Sequence, residues 1–205
     1  MKINVLPVGE LSTNCYILED EASKLAAIID PGDEAGRILT QVERDGVRVK
    51  YILLTHGHYD HTTAVPELHK TLPGAEIYIH QADSLGAGGR LFPLAAQVDE
   101  LLLYDEGDTL PLGGLTIQVM STPGHSLGSV VLRVGDVLFT GDTLFAGSCG
   151  RTDLRGGDYG QMMASLKRLG QLEGDFRVLP GHDVSSTLER ERQTNYYMKE
   201  AMSRS

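Results

Sequence analysis

The chain has 205 residues, 41% of them hydrophobic, and a formal net charge of -10, enough apolar material for a substantial core and a charge that opposes nucleic acid or anionic membranes as partners. Two cysteines, Cys15 and Cys149, are too few for a disulfide framework, and the start Met1-Lys2-Ile3-Asn4-Val5-Leu6-Pro7 lacks the basic and apolar stretches of a signal peptide. No run is long enough to cross a bilayer, so a single cytoplasmic domain spanning 1–205 is expected, as a monomer or homodimer.

In chain order, extended segments are predicted at 3–6, 15–18, 25–29, 49–54, 76–80, 115–120, 130–134, 137–140 and 177–179. Helices are predicted at 34–45, 64–71, 159–172 and 185 to about 199, the last two with apolar positions at helical spacing. The stretch 84–97 is glycine-rich and then weakly helical, and it supports no single reading. This order, with strands and helices interleaved, suits an α/β fold of two mixed sheets packed face to face with helices outside.

The strand ends carry the chemistry. After Tyr51-Ile52-Leu53-Leu54 comes His56-Gly57-His58-Tyr59-Asp60-His61, four potential metal ligands in six positions. In an extended segment His56 and His58 point the same way and can share one ion, while Asp60 and His61, past a turn, can reach a second. Three later strand ends repeat the pattern with Gly124-His125, Gly141-Asp142 and Gly181-His182. Glycine ahead of each ligand permits the close backbone approach that a crowded cation site needs. Five of the seven histidines occupy these positions, leaving His69 and His80 for structural or surface roles.

Together these motifs strongly resemble the metallo-β-lactamase superfamily, over most of the chain from Asn14-Cys15-Tyr16 to His182. The resemblance implies a four-layer αββα sandwich with two divalent metal ions at one edge. His56, His58 and His125 would hold the first ion, and Asp60, His61 and His182 the second, with Asp142 bridging. Zinc is the leading choice, with iron or manganese also compatible with His and Asp donors.

Within that superfamily, Thr140-Gly141-Asp142-Thr143-Leu144-Phe145-Ala146-Gly147-Ser148-Cys149-Gly150-Arg151 is similar to the type II glyoxalases, the hydroxyacylglutathione hydrolases, and unlike the antibiotic-degrading members. Arg151 falls where the longer glyoxalases hold a glutathione carboxylate, although Asp153 stands where an aromatic residue is expected. The C-terminal helical domain of those enzymes is missing, since 23 residues follow His182; the chain is similar to their short bacterial counterparts.

The reading is a hydrolase of a small-molecule thioester such as S-lactoylglutathione or another glutathione conjugate. Two cations roughly 3.5 to 4 Å apart lower the pKa of a shared water from 15.7 toward about 7 and so provide hydroxide. Asp60 is then both ligand and orienting group, Tyr59 and Arg151 are substrate-side residues, and Asp30 is the favoured support for a ligand histidine. Tyr59 competes with a simple packing role, Arg151 with an ion pair to Asp153 or Asp142, and Asp30 with a helix cap or turn. Cys149 lacks a paired His and is not expected to act as a nucleophile. Two alternatives stand beside the hydrolase. A persulfide dioxygenase of this fold, suggested by Gly150-Arg151-Thr152-Asp153, would use one iron on His56, His125 and Asp142. A metal-binding scaffold without turnover is the other.

Overall fold

The computed structural model describes residues 1–86 and 91–204. Among them, two six-stranded sheets stack face to face. The first runs β1 (Lys2–Val8), β2 (Thr13–Asp20), β3 (Leu25–Ile29), β4 (Arg48–Leu53), β5 (Glu76–His80) and β6 (Leu101–Tyr104) in spatial order, antiparallel as far as β3 and parallel from there on. Parallel neighbours require crossovers. These are α1 (Ala35–Asp45), then α2 (Tyr59–Thr62) with α3 (Val65–Thr71), then α4 (Gln81–Ser84) with the 3-10 turn Leu94–Ala96.

The second sheet holds β7 (Thr109–Leu112), β8 (Leu115–Ser121), β9 (Val130–Val134), β10 (Val137–Gly141), β11 (Arg177–Pro180) and β12 (Ser186–Thr187). Its pairing is antiparallel except between β10 and β11, which α5 (Tyr159–Gly170) connects.

The four layers follow from strands that are apolar on both faces. In β2, Cys15 and Ile17 pack under α1 and α3, whereas Tyr16 and Leu18 join Ile117, Leu132 and Phe139 of the other sheet. In β10, Phe139 faces between the sheets and Leu138 faces Met162, Leu166 and Leu169 of α5. Each such side chain contributes about 1.5–3 kcal/mol by leaving water. The αββα sandwich expected from the sequence is therefore present.

Three features differ from the sequence reading. The edge strand β7 contains Pro111, which a sheet edge tolerates because no ladder donor is needed there; its carbonyl accepts from Tyr51 Oη at 3.0 Å. Strand β6, Leu101-Leu102-Leu103-Tyr104, shows no alternation to betray it. The helix predicted from 185 to about 199 is instead β12 followed by α6 (Leu188–Thr194) and α7 (Tyr196–Ser203), separated at Asn195, whose ψ of 120° is extended. Residues 87–90 of the unassigned stretch 84–97 lie outside the described residues. No helix among the described residues is long and apolar enough to cross a membrane.

Candidate metal centre

All the predicted ligand positions come together along one edge of the sandwich. His56 and His58 follow β4, His125 follows β8, Asp142 follows β10 and His182 follows β11, while Asp60 and His61 lie in α2. Three groups form, each with ligand atoms within 4.8 Å of one another: His56, His58 and His125; His56, His61 and Asp142; and Asp60, His61 and His182. Asp142 spans the cluster, with Oδ2 3.3 Å from His125 Nε2 and Oδ1 3.4 Å from His61 Nε2. His182 Nε2 is 3.2 Å from Asp60 Oδ2 and 3.7 Å from Asp142 Oδ2.

The histidines are held with a nitrogen lone pair aimed inward. Main-chain carbonyls only accept, so His125 Nδ1 donates to Arg151 O at 2.8 Å and His182 Nδ1 to Leu11 O at 3.2 Å. Asp30 does the same for His61, with Oδ2 3.1 Å from Nδ1. The Thr55 hydroxyl gives its proton to Asp30 Oδ2 at 2.6 Å, so it accepts from His56 Nδ1 at 3.1 Å. In each case Nε2 is the nitrogen turned toward the cluster. Asp30, at φ 52°, also accepts from Thr55 N at 2.7 Å, and the cap position of α1 is taken by Glu34. Asp30 therefore bonds His61 and Thr55 and takes no part in capping α1.

Burial, together with His61 and His125, holds the His56 imidazole far below its ordinary pKa, and burial with His125 lowers His58 to about 4. Both are neutral at pH 7, as a ligand must be. Burial pushes His61 the same way, but the Asp142, Asp30 and Asp60 carboxylates outweigh it and raise His61 to about 9. Burial would raise Asp60, yet His182 and His61 keep it well below the usual carboxylate range.

The residues fit a pair of cations. Buried polar atoms are normally hydrogen-bonded. Among the described residues, four buried side-chain atoms have no hydrogen-bond partner: His69 Nδ1 on α3, and His56 Nε2, His61 Nε2 and Asp142 Oδ1, the last three facing the cluster. The backbone makes room for them. A Cβ on Gly181 would lie 2.4 Å from Asp142 Oδ1 and 2.7 Å from His61 Cε1. Gly141, at φ 45°, lets the chain turn against Thr55 and direct Asp142 inward.

Sequence reasoning missed two supports. Asp83, fully buried, accepts from Gly57 N at 2.9 Å, Ser126 Oγ at 2.6 Å and Gly128 N at 2.9 Å, tying the His56–His58 loop to the His125 loop. Asn14 Nδ2 donates to Pro180 O and Asp183 O at 3.0 and 2.9 Å, and Tyr16 Oη to Pro180 O at 2.7 Å, which fixes the end of β11 and hence His182. No local pattern announces a buried Asp or Asn.

A cleft of about 400 Å³ opens on the centre, walled by Leu11, Phe145, Leu154 and Arg151 beside the ligands. Arg151 is exposed and bound twice to Asp153, Nε to Oδ1 and Nη2 to Oδ2, both at 2.7 Å. Tyr59 does not join the cleft. It is 41% exposed and lines a neighbouring hollow with Gly9, Glu10 and Asp33, because consecutive side chains on α2 diverge and the inward direction belongs to Asp60 and His61. Burial raises the Cys149 thiol to about 11, unsuited to a nucleophile.

An αββα sandwich with a His/Asp cluster at its edge that suits a dinuclear metal site defines a class of metalloprotein. The model of the metallo-beta-lactamase superfamily matches residues 8–182, and the chain belongs to that superfamily. It is similar to hydroxyacylglutathione hydrolase GloC of Haemophilus influenzae, 34% identical over 97% of this chain and 98% of the relative. Among solved structures it resembles the B3 metallo-beta-lactamase BLEG-1 (TM-score 0.83, 34% identity, 96% of this chain and 99% of the other). TTHA1623 in a di-iron-bound form (0.81, 35%, 95% and 99%) and ETHE1 from Myxococcus xanthus (0.83, 31%, 96% and 84%) are similar as well.

Proposed function

We propose that the chain is a dinuclear metallo-hydrolase that cleaves a small-molecule thioester, with glutathione conjugates such as S-lactoylglutathione as the substrate class, in a reducing cytoplasm. The observation that carries the reading is the group of buried atoms without hydrogen-bond partners that converge at the cluster, His56 Nε2, His61 Nε2 and Asp142 Oδ1, which a pair of cations would satisfy together. His56, His58 and His125 would hold one ion and Asp60, His61 and His182 the other, with Asp142 placed to serve both; zinc leads, with iron or manganese as the other choices. A pair of cations held there would supply Lewis acidity to the acyl carbonyl and to water.

The chain's own residues do the rest. Asp60, held ionised and mostly buried at the cleft lining, would accept a hydrogen bond from the attacking water and aim it. Leu11, Phe145 and Leu154 shield the acyl group from bulk solvent. Arg151 stands at the rim, where a substrate carboxylate competes with Asp153 for it. The thiol leaving group is acidic, so departure needs no general acid from the protein. GloC, similar over nearly its whole length, supports the thioester class.

A persulfide dioxygenase is the second reading, favoured by the run Gly150-Arg151-Thr152-Asp153 and the likeness to ETHE1. Metal analysis of the purified protein beside assays with S-lactoylglutathione, glutathione persulfide and a β-lactam decides. Two ions per chain with thioester hydrolysis uphold the proposal. One iron with oxygen uptake, or preferred cleavage of the β-lactam, overturns it.

A further inference from the structure

Away from the metal ligands, one buried polar cluster joins the C-terminal helices to the cleft wall. Residues 145–148 form a tight turn, Phe145 N donating to Ser148 O at 3.0 Å and Ser148 N to Phe145 O at 3.3 Å, with Gly147 at φ 75°. Its tip and base are gripped from α6 and the start of α7. Glu191, fully buried, accepts from Gly147 N at 2.7 Å, from Asn195 Nδ2 at 2.8 Å and from Ser186 Oγ. Asn195, also fully buried, donates from Nδ2 to Ser148 O at 2.9 Å.

We propose that Glu191 and Asn195 are positioning residues which hold the 145–148 turn as the substrate-facing wall of the metal cleft. Burying a carboxylate and an amide costs free energy that an apolar contact would not, and at Asn195 the helix is also broken. The break has a use. Asn195 Oδ1 caps α7 by accepting from Tyr197 N at 3.0 Å and Met198 N at 3.2 Å, which frees Nδ2 for the turn. Two ends of one side chain thus couple the helix start to the loop. The gripped turn carries Phe145, whose ring lines the cleft and meets the His182 ring edge-on with centroids 6.1 Å apart. Three residues beyond Ser148 lies the Arg151 carbonyl that orients His125. Rigid fixation of a wall residue lowers the ordering cost of substrate binding, so the cluster acts on affinity for substrate.

The kinetic readout rests on the thioesterase reading, so the test pairs it with a readout that does not. Asn195→Asp keeps the cap, because a carboxylate still accepts from Tyr197 and Met198, but it offers Ser148 O no donor and faces Glu191 with like charge. Glu191→Gln places an amide donor among three donors. In both variants KM for S-lactoylglutathione rises about tenfold, the worth of a lost charge-assisted hydrogen bond, with kcat within about twofold and metal content unchanged. Amide exchange across 145–148 accelerates. Asp45→Ala, a destabilising change in a separate cluster with Lys2 and Asn4, moves neither quantity. Unchanged exchange at 145–148 in both variants, or an equal rise in KM for Asp45→Ala, overturns the proposal. If the wild type hydrolyses no thioester, the functional reading fails by itself and the exchange measurement still decides the clamp.

Discussion

Two kinds of buried carboxylate stand in this fold, and the contrast separates what folds the chain from what it is folded for. Asp83 and Glu191 each gather three donors, and Asp45 takes bonds from Lys2, Asn4 and Gln41, so their oxygens are satisfied. Asp142 has a buried oxygen without a hydrogen bond, beside His56 and His61 nitrogens in the same state. A satisfied carboxylate stabilises, and an unsatisfied one keeps coordination capacity in reserve. Substitutions at the two kinds should therefore fail in different ways.

The largest effect belongs to Asp142→Ala. It removes the one ligand that spans both halves of the cluster, so turnover is abolished and metal content falls below two ions per chain, while the melting temperature of metal-free protein shifts less than for the Asp83 variant below. Surviving activity with full metal content would break the bridging assignment. Asp30→Asn comes next. It touches no ion in this scheme but supports His61 and, through Thr55, His56. Metal affinity should drop roughly 10–100-fold, the usual cost of losing such a support, as read by competition with a chelator.

Asp83→Ala reverses the balance toward stability. Three buried donors lose their acceptor, which costs roughly 3–4 kcal/mol and shifts the melting temperature by about 10 °C for a chain of this size. Because Asp83 bridges the loops bearing His58 and His125, metal affinity weakens as well, but by less than for Asp30→Asn. An Asp83 variant as stable as wild type would show that bond count does not measure what a buried carboxylate contributes.

The same contrast explains how much could be read in advance. His56, His58, Asp60 and His61 stand out because ligand chemistry demands particular residues at close spacing, and both-face burial makes β2, β3, β4 and β10 read as continuous apolar runs. Asp83 and Glu191 are invisible, since the bonds that tie them to the site, from Ser126 Oγ and Gly147 N, span 43 and 44 residues and an Asp or Glu looks the same buried or exposed. Tyr59 lines a hollow beside the cleft for the converse reason: adjacency to Asp60 in sequence is not adjacency in space on a helix. The break at Asn195 was hidden because apolar spacing runs on through it, and only the loop that Asn195 grips explains the interruption.

The smallest effect sharpens the comparison through pH. Burial would raise the Asp45 pKa, but Lys2, Gln41 and Asn4 together hold it below the ordinary carboxylate value. A folded pKa below the unfolded one means stability that is fully present above about pH 4 and is lost as pH falls through the folded value. Lys2→Met removes the cation from this set, so it should lower the denaturation midpoint at pH 7, and the gap from wild type should close as Asp45 takes up its proton in acid. The site variants follow another course: Asp142→Ala shows its defect in turnover and metal content at pH 7 with little change in the midpoint of the metal-free protein. A Lys2→Met gap that persisted unchanged into strong acid would mean that the lysine contributes through its packed methylenes rather than its charge.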